Sequence, residues 1–223
     1  RYPLEDLLGL LALESHRHRC TIIGEDLGTV PEEVRRALDS NEILSYRVLL
    51  FERDAERSFK PPSAYPECSL AVASTHDLPT LAGWWEGRDI TLRAEHGQLE
   101  VDADIDAQRA ERVDDRGRLL AALERTTLLP EGTPLDPRAV PEFTPALACA
   151  VQIYLARAPS ALMIVQPEDV FGVRDQANLP GTITSYPNWQ RKLPVALEAQ
   201  SGADRPLHRL AVRLGSERGR APS

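Results

Sequence analysis

Short apolar runs alternate with helical segments along this chain, and that alternation limits the folds it can adopt. The runs at residues 20–24, 42–51, 70–74 and 161–165 have the length of buried strands and lie between turn-forming residues. Segments with helical spacing of apolar residues separate several of these runs. Strand–helix–strand order predicts parallel pairing. The sequence therefore predicts an α/β fold with about four parallel strands and accompanying helices.

The predicted helices occupy the segments around those strands. Helical apolar spacing predicts them at residues 4–18, 102–128 and 144–158, with one or two more within 190–215. Thr29 is predicted to cap a further helix that ends near Leu38, because Pro31 and Glu32 complete the pattern of a capping box. Residues 77–80 are expected to open another helix.

The composition is that of an ordinary soluble domain. The 223 residues are 42% hydrophobic and 27% charged, with a net charge of −8. The sequence has no basic stripe with interleaved aromatic residues, so nucleic acid is not an expected partner. No apolar run reaches the roughly 18 residues that a membrane-spanning helix needs, so a membrane is not expected either.

The spacing of the three cysteines bears on the cellular compartment and on metal binding. Cys20, Cys68 and Cys149 stand far apart and in no C-x-x-C spacing. This pattern argues against a zinc site and against a disulfide framework, and we expect no metal. A reducing cytoplasm is the expected location. The chain begins at Arg1 and not at a methionine, so it is expected to be a piece of a longer protein.

Two carboxylates follow buried strands and suggest an active site. Glu25 comes directly after the apolar run that ends near residue 23, and Asp77 follows the run at 70–73. Acidic side chains at the ends of buried strands suggest catalysis at the strand-end face of an α/β enzyme. On spacing alone, salt-bridged or helix-capping carboxylates explain the pattern as well.

Blocks around these residues resemble one enzyme family, the 4-α-glucanotransferases, also called amylomaltases or disproportionating enzymes. A His-Asp pair after a strand is common among α-glucan-active enzymes, but the blocks together are specific and occur in the order of that family. They extend over nearly the whole chain. The resembling blocks are residues 7–17 with 23–31, 45–49, 74–78, 178–182 and 186–189.

The resemblance implies a particular fold and domain organisation. Members of the family are (β/α)8 barrels, a fold that needs roughly 250 residues or more. The four strands of this chain resemble the fifth to eighth strands of such a barrel. Residues 1–223 are therefore expected to be the C-terminal half of the barrel, with a helical insertion at 86–141 before the last strand. The N-terminal half of the same barrel would be the missing partner.

The resemblance also assigns the two carboxylates. Glu25 is expected to be the general acid/base of a retaining transfer, and Asp77 to stabilise the transition state as an ionised carboxylate. Asp26 stands next to Glu25, and side chains alternate along a strand. Only one of that pair can therefore face the barrel mouth, and the family motif favours Glu25.

Three further residues match sugar-contacting positions of the family. His76 is expected to bind a sugar hydroxyl, Phe51 at the end of the second strand to stack on a sugar ring, and Asn178 to border the site. Each has a structural alternative: a histidine bonded to a backbone carbonyl, a core aromatic and a turn-forming asparagine. Trp84-Trp85 is expected to pack in the core, with an acceptor-side platform as the alternative for at most one of the two rings. Residues 186–189 are expected to pack against the last helix.

The family nucleophile is missing from this chain. It is an Asp in an Arg-x-Asp-His type sequence after the fourth barrel strand, and no such sequence occurs here. The parent enzyme would transfer a 1,4-α-glucan segment between maltodextrins, or glucans derived from starch or glycogen, without a cofactor. The isolated chain is expected to be inactive. The alternatives are a related α-amylase-type hydrolase, a non-catalytic glucan-binding fragment, and one half of a split enzyme.

Overall fold

A computed structural model describes residues 2–99, 102–200 and 202–219. Within those ranges the chain forms four strands and eight α-helices. The strands are β1 (Ile23–Gly24), β2 (Leu44–Val48), β3 (Ser69–Val72) and β4 (Leu162–Ile164). The helices are α1 (Leu4–His18), α2 (Glu32–Ser40), α3 (Leu81–Glu86), α4 (Arg88–Glu95), α5 (Asp102–Arg125), α6 (Pro145–Ala156), α7 (Pro167–Val170) and α8 (Pro206–Glu217).

The four strands form one parallel sheet in which spatial order equals chain order, β1-β2-β3-β4. Ser45 of β2 lies opposite Ser69 of β3, and Leu70 of β3 lies opposite Leu162 of β4. The predicted α/β fold with parallel strands is confirmed. Since all four strands run the same way, their carboxyl ends meet at a single edge of the sheet.

All four strands are shorter than predicted, and local hydrogen bonds account for the ends of two of them. β2 ends at Val48 and not at Phe51, because the amides of Phe51 and Glu52 donate to the Val48 carbonyl and turn the chain away from the sheet. The first strand begins at Ile23 and not at residue 20. The Cys20 amide is engaged in closing α1, where it donates to the Ser15 carbonyl at 3.1 Å.

The predicted start of one helix is wrong, and the predicted start of another is close to the structure. Thr29 caps nothing: α2 begins at Glu32 behind Pro31, because the bond from the Val30 amide to the Gly28 carbonyl folds a tight turn ahead of the helix. Residues 77–80 precede α3, whose first residue is Leu81. The Thr80 hydroxyl accepts from the Gly83 amide and caps that helix.

The main core lies where β3, α3, α5 and α6 meet. Trp84 and Trp85 are both buried there, which confirms the expectation of core packing. The Trp85 indole N–H donates to the Val140 carbonyl at 3.0 Å, so the buried polar atom is satisfied. Arg112 of α5 makes a bidentate ion pair with Asp89 of α4, at 2.7 and 2.8 Å. These contacts anchor the helices that follow β3 onto the sheet.

Helix α1 differs from the others because most of its apolar surface faces solvent. Leu8 alone among the apolar residues of α1 is buried. The exposed leucines of this helix are Leu4, Leu7, Leu10, Leu11 and Leu13. No helix in the described part of the chain is long and apolar enough to span a membrane.

Candidate active site

The polar residues singled out above gather beyond the carboxyl ends of the strands. Glu25 directly follows β1, Phe51 lies in the turn after β2, and Asp77 lies in the loop between β3 and α3. Asn178 comes after β4 and α7. In open parallel α/β sheets this edge is where ligands bind. The arrangement makes the edge the candidate site.

Asp77 is the best-connected of these residues. Its Oδ1 accepts a hydrogen bond of 2.6 Å from the Asn178 side-chain amide, although the two residues are far apart in sequence. The His76 Nε2 lies 3.5 Å from the other carboxylate oxygen, Oδ2. Both His76 and Asp77 remain exposed, so the carboxylate is oriented by its neighbours and still open to a ligand.

The loop that carries Asn178 is held by its own hydrogen bonds. Gln176 is buried and donates from Nε2 to the Asn178 carbonyl at 2.6 Å. The Asn188 side chain accepts from the Leu179 amide at 2.9 Å and donates to the Thr182 carbonyl at 3.1 Å. Because these bonds close the loop on itself, the amide of Asn178 is presented to Asp77 by a rigid backbone.

The site includes an aromatic residue that sequence reasoning missed. The Trp189 ring lies 5.2 Å from the His76 ring, centroid to centroid, at an angle of 45°. Its side chain is 64% exposed. Residues 186–189 were expected to pack against the last helix, and this is wrong for both of their aromatic side chains. Tyr186 packs with Leu92 of α4 and with Leu179. The sequence singled out Trp189 only as the last residue of the resembling block 186–189.

The two acidic residues after β1 point in different directions. Asp26 is 3% exposed, and its carboxylate accepts from the Tyr46 amide at 2.9 Å and lies 3.4 Å from the Arg47 guanidinium. It therefore ties β1 to β2. Glu25 is exposed, and burial together with the nearby Glu25 charge raises the pKa of the Tyr46 hydroxyl. One Glu25 carboxylate oxygen accepts from the Leu27 amide, and the side chain stays exposed, so Glu25 is the member of the pair that a ligand can reach.

The structure brings some of these residues together and leaves others apart. His76, Asp77, Asn178 and Trp189 form one connected group. Within the described ranges, neither Glu25 nor Phe51 makes a hydrogen bond, ion pair or ring contact with that group. Phe51 is 52% exposed in the turn after β2, so it is not a core aromatic. The described residues hold no group of three or more side chains suited to a metal ion.

A parallel α/β sheet with carboxylates beyond its carboxyl edge is the arrangement of an α/β enzyme that binds its ligand there. Comparison with known proteins identifies the family. The sequence profile described as 4-alpha-glucanotransferase matches residues 1–198, and the chain belongs to that family.

Individual relatives agree with this assignment. The 4-alpha-glucanotransferase of Haemophilus influenzae is 40% identical over 196 residues, which cover 86% of this chain and 27% of that protein. The Mycobacterium bovis 4-alpha-glucanotransferase is 37% identical over 85% of this chain and 26% of its own length. The chain thus spans about a quarter of the length of these two curated relatives.

Solved structures show the same likeness. Amylomaltase from Corynebacterium glutamicum superposes with a TM-score of 0.75 and 32% identity, over 85% of this chain and 27% of that one. Amylomaltase from Streptococcus agalactiae, solved in complex with acarbose, superposes with a TM-score of 0.62 over 99% of this chain and 36% of that one. At 18% identity the second comparison shows the fold alone.

Proposed function

We propose that the chain is the C-terminal half of the (β/α)8 barrel of a 4-α-glucanotransferase. Support comes from four parallel strands arranged in chain order, as successive strands of a barrel are, and from the likeness to an amylomaltase at 32% identity. Residues 1–223 would belong to the catalytic barrel, with 86–141 as a helical insertion. The three free thiols agree with a reducing cytoplasm.

The proposed reaction is retaining transfer of a 1,4-α-glucan segment to the 4-hydroxyl of glucose or another glucan. Such transfer uses a nucleophile and an acid/base about 5–5.5 Å apart, and it passes through a glycosyl-enzyme intermediate. Glu25 would protonate the departing glycosidic oxygen and later take the proton of the acceptor hydroxyl. The observation that supports this role is that Glu25 is exposed at the carboxyl edge of the sheet. Its neighbour Asp26 is buried, and the Asp26 carboxylate is hydrogen-bonded to the Tyr46 amide.

Asp77 would stabilise the oxocarbenium-like transition state. The observation that carries the proposal is the hydrogen bond from Asn178, which orients the Asp77 carboxylate at the same edge while leaving it exposed. His76 would bind a sugar hydroxyl, and Phe51 would offer its exposed ring to a sugar face. Trp189 would extend the aromatic surface beside His76.

We further propose that the isolated chain transfers nothing. The Arg-x-Asp-His type sequence that carries the family nucleophile does not occur in it. Without a nucleophile no glycosyl-enzyme intermediate can form, whatever the acid/base does. The substrates of the complete enzyme would be maltodextrins and α-1,4-glucans derived from starch or glycogen.

A maltotriose disproportionation assay tests this proposal. One sample is the 223-residue chain, and the other is a chimaera in which this chain replaces the matching segment of the Corynebacterium glutamicum amylomaltase. The chimaera is expected to convert two maltotriose molecules into glucose and maltopentaose, and the chain alone is expected to form neither. Glu25→Gln should abolish the activity of the chimaera, while Glu14→Gln on the exposed face of α1 should leave it unchanged.

Three outcomes would contradict the proposal. Transfer by the chain alone would mean that it carries its own nucleophile. Full activity of the Glu25→Gln chimaera would remove Glu25 from its role. Release of new reducing ends in proportion to cleavage would favour hydrolysis, since transfer conserves their number. Circular dichroism of each sample separates loss of activity from loss of fold.

A further inference from the structure

A cavity on the helical side of the molecule is separate from the carboxylate site. It lies between α6, α7 and α8 and has a volume of about 300 Å³. Its lining includes Pro145, Cys149, Gln152, Asp169, Arg209 and Arg213. None of these residues belongs to the proposed transfer machinery. The volume is at the lower end of the range for small-molecule pockets, which suits a small metabolite better than a glucan chain or a peptide.

Unsatisfied polar atoms stand among its buried lining residues. Gln152 is 1% exposed, and neither its Oε1 nor its Nε2 has a hydrogen-bond partner. Asp169 is equally buried: its Oδ1 accepts from the Leu81 amide at 2.7 Å, but its Oδ2 has no partner. Buried polar groups are nearly always paired, because an unpaired one loses its hydration without compensation. Three unpaired polar atoms on residues that line one cavity therefore favour a polar occupant, which the two side chains would reach by a change of rotamer because the atoms themselves are almost inaccessible.

Two arginines stand on the solvent side of the same cavity. Arg209 and Arg213 lie one helical turn apart on α8, and both are exposed. In the described part of the chain neither makes an ion pair with an acidic residue, and the Arg213 guanidinium donates a hydrogen bond to the Cys149 sulfur at 3.6 Å. Two unneutralised guanidinium groups at this spacing favour a bound anion.

We propose that this cavity binds a small phosphorylated sugar. A sugar hydroxyl both donates and accepts, so it can satisfy the Gln152 amide, and a second hydroxyl can donate to Asp169 Oδ2. The phosphate would lie between Arg209 and Arg213, which offer the bidentate donors that phosphate prefers. Because burial raises the pKa of Asp169 to about 7, its carboxyl group repels an anion less than an ordinary aspartate would.

Isothermal titration calorimetry on the 223-residue chain tests the site, with glucose 6-phosphate as the probe. We expect saturable binding that is at least roughly tenfold tighter than that of glucose or of inorganic phosphate, since each lacks one half of the contacts. Replacing both arginines, Arg209→Gln with Arg213→Gln, should abolish the difference between glucose 6-phosphate and glucose. Arg36→Gln, an exposed arginine of α2, serves as the matched control and should bind normally.

A second variant keeps the test independent of folding defects. Gln152→Met replaces the amide with an apolar side chain of similar shape, so the empty protein should melt no lower than wild type. Glucose 6-phosphate should raise the melting temperature of wild type but not that of this variant.

Several results would overturn the proposal. They are the absence of glucose 6-phosphate binding to the folded chain, equal affinity for inorganic phosphate, equal affinity for glucose, and unchanged binding by Gln152→Met. Water alone in the cavity would give the first of these results. Because the test measures binding in the isolated chain and needs no transfer, it can fail while the proposed function stands.

Discussion

At the scale of single residues, Trp189 combines an exposed ring with an unusual backbone. Its φ is 61°, a left-handed conformation that non-glycine residues seldom adopt. The backbone is held there by the Trp189 amide, which donates to the Ala177 carbonyl at 2.9 Å. Strained residues of this kind occur often at ligand sites. The strain and the contact with His76 together suggest that the ring is positioned for a ligand.

Trp189→Ala should therefore weaken glucan binding. Loss of one aromatic contact is worth about 0.5–1.5 kcal/mol, so we expect a roughly twofold to tenfold rise in Kd for maltoheptaose. Calorimetric titration of the isolated chain measures it. Tyr2→Ala, which removes an aromatic residue that is 90% exposed outside the candidate site, is the control. An unchanged Kd in the Trp189 variant would exclude the ring from the site.

The buried carboxyl group of Asp169 leads to a prediction about how the stability of the protein depends on pH. Burial raises its pKa from 3.8 to about 7, so between those values the folded protein holds a proton that the unfolded chain has released. Stability should therefore fall as pH rises from about 4 to 7, by up to about 1.4 kcal/mol per unit, and then level off. Urea unfolding at several pH values measures this slope.

The Asp169→Asn variant should lack that part of the slope, since its side chain does not titrate. Asp104→Asn, at an exposed position of α5, should keep it. Parallel stability profiles for wild type and the Asp169 variant would mean that the carboxyl group is not protonated in the folded state.

Sequence reasoning singled out some residues of the candidate site and not others, for physical reasons. Glu25 and Asp26 are expected to differ by strand alternation, and they do differ in exposure although both lie just after β1. The bond between Asp77 and Asn178 joins residues on either side of the long helical segment, and only the family resemblance linked them. The position of the Trp189 ring was not predicted, because a left-handed backbone conformation at a single residue cannot be read from the residue type.

At the scale of elements, α3 depends on close approach to the loop that follows α7. Gly83 of α3 lies so close to the Arg174 carbonyl that an added Cβ would collide with that backbone oxygen. The Thr80 hydroxyl donates to the Val173 carbonyl at 2.5 Å, in the same loop. The loop leads on to Asn178, so the position of α3 helps to fix the position of the site.

Gly83→Ala should destabilise the protein although alanine favours helices. The backbone of one element must shift, at a cost of about 1–3 kcal/mol. Gly9→Ala in α1 is the matched control, because a Cβ there meets nothing within 4 Å. That change should raise the free energy of unfolding by about 0.5–1 kcal/mol. Urea unfolding of both variants measures the contrast, and two effects of the same sign would contradict the packing described here.

The predicted elements were right in type and less accurate at their ends. The four strands and the helices containing residues 4–18, 102–125 and 145–156 follow from apolar periodicity. Their boundaries depend on local turns such as the one at Val48, where backbone hydrogen bonds compete with strand pairing. The capping box at Thr29 failed for the same reason, since the pattern cannot reveal the turn at Gly28.

At the scale of the whole molecule, apolar surface stays uncovered on α1 and at both edges of the sheet. The exposed leucines of α1 form the first of these surfaces, and Ile23 of β1 and Ile164 of β4 are exposed at the two opposite edges. An apolar area of this kind favours association with another surface. Uncovered edge strands are what half of a barrel would leave, whereas the exposure of α1 became visible only in the structure.

The isolated chain should therefore self-associate, and polar substitutions on α1 should reduce that tendency. The double variant Leu7→Gln with Leu11→Gln removes two exposed leucines. We expect its weight-average mass in sedimentation equilibrium to fall towards that of the 24.7 kDa monomer. Leu135→Gln removes an exposed leucine outside α1 and should change nothing. A wild-type chain that is monomeric at all concentrations would contradict this expectation.

The order of the strands has a further consequence for the time course of folding. Ile23 pairs with Leu44 and Ser45 with Ser69, so the first three strands can join soon after each has been synthesised. Leu70 pairs with Leu162, and the chain between them contains α3 to α6. Closing so long a loop is slow. We therefore expect β4 to join last, and the loop bearing Asn178 to reach Asp77 only when the rest of the sheet is already formed.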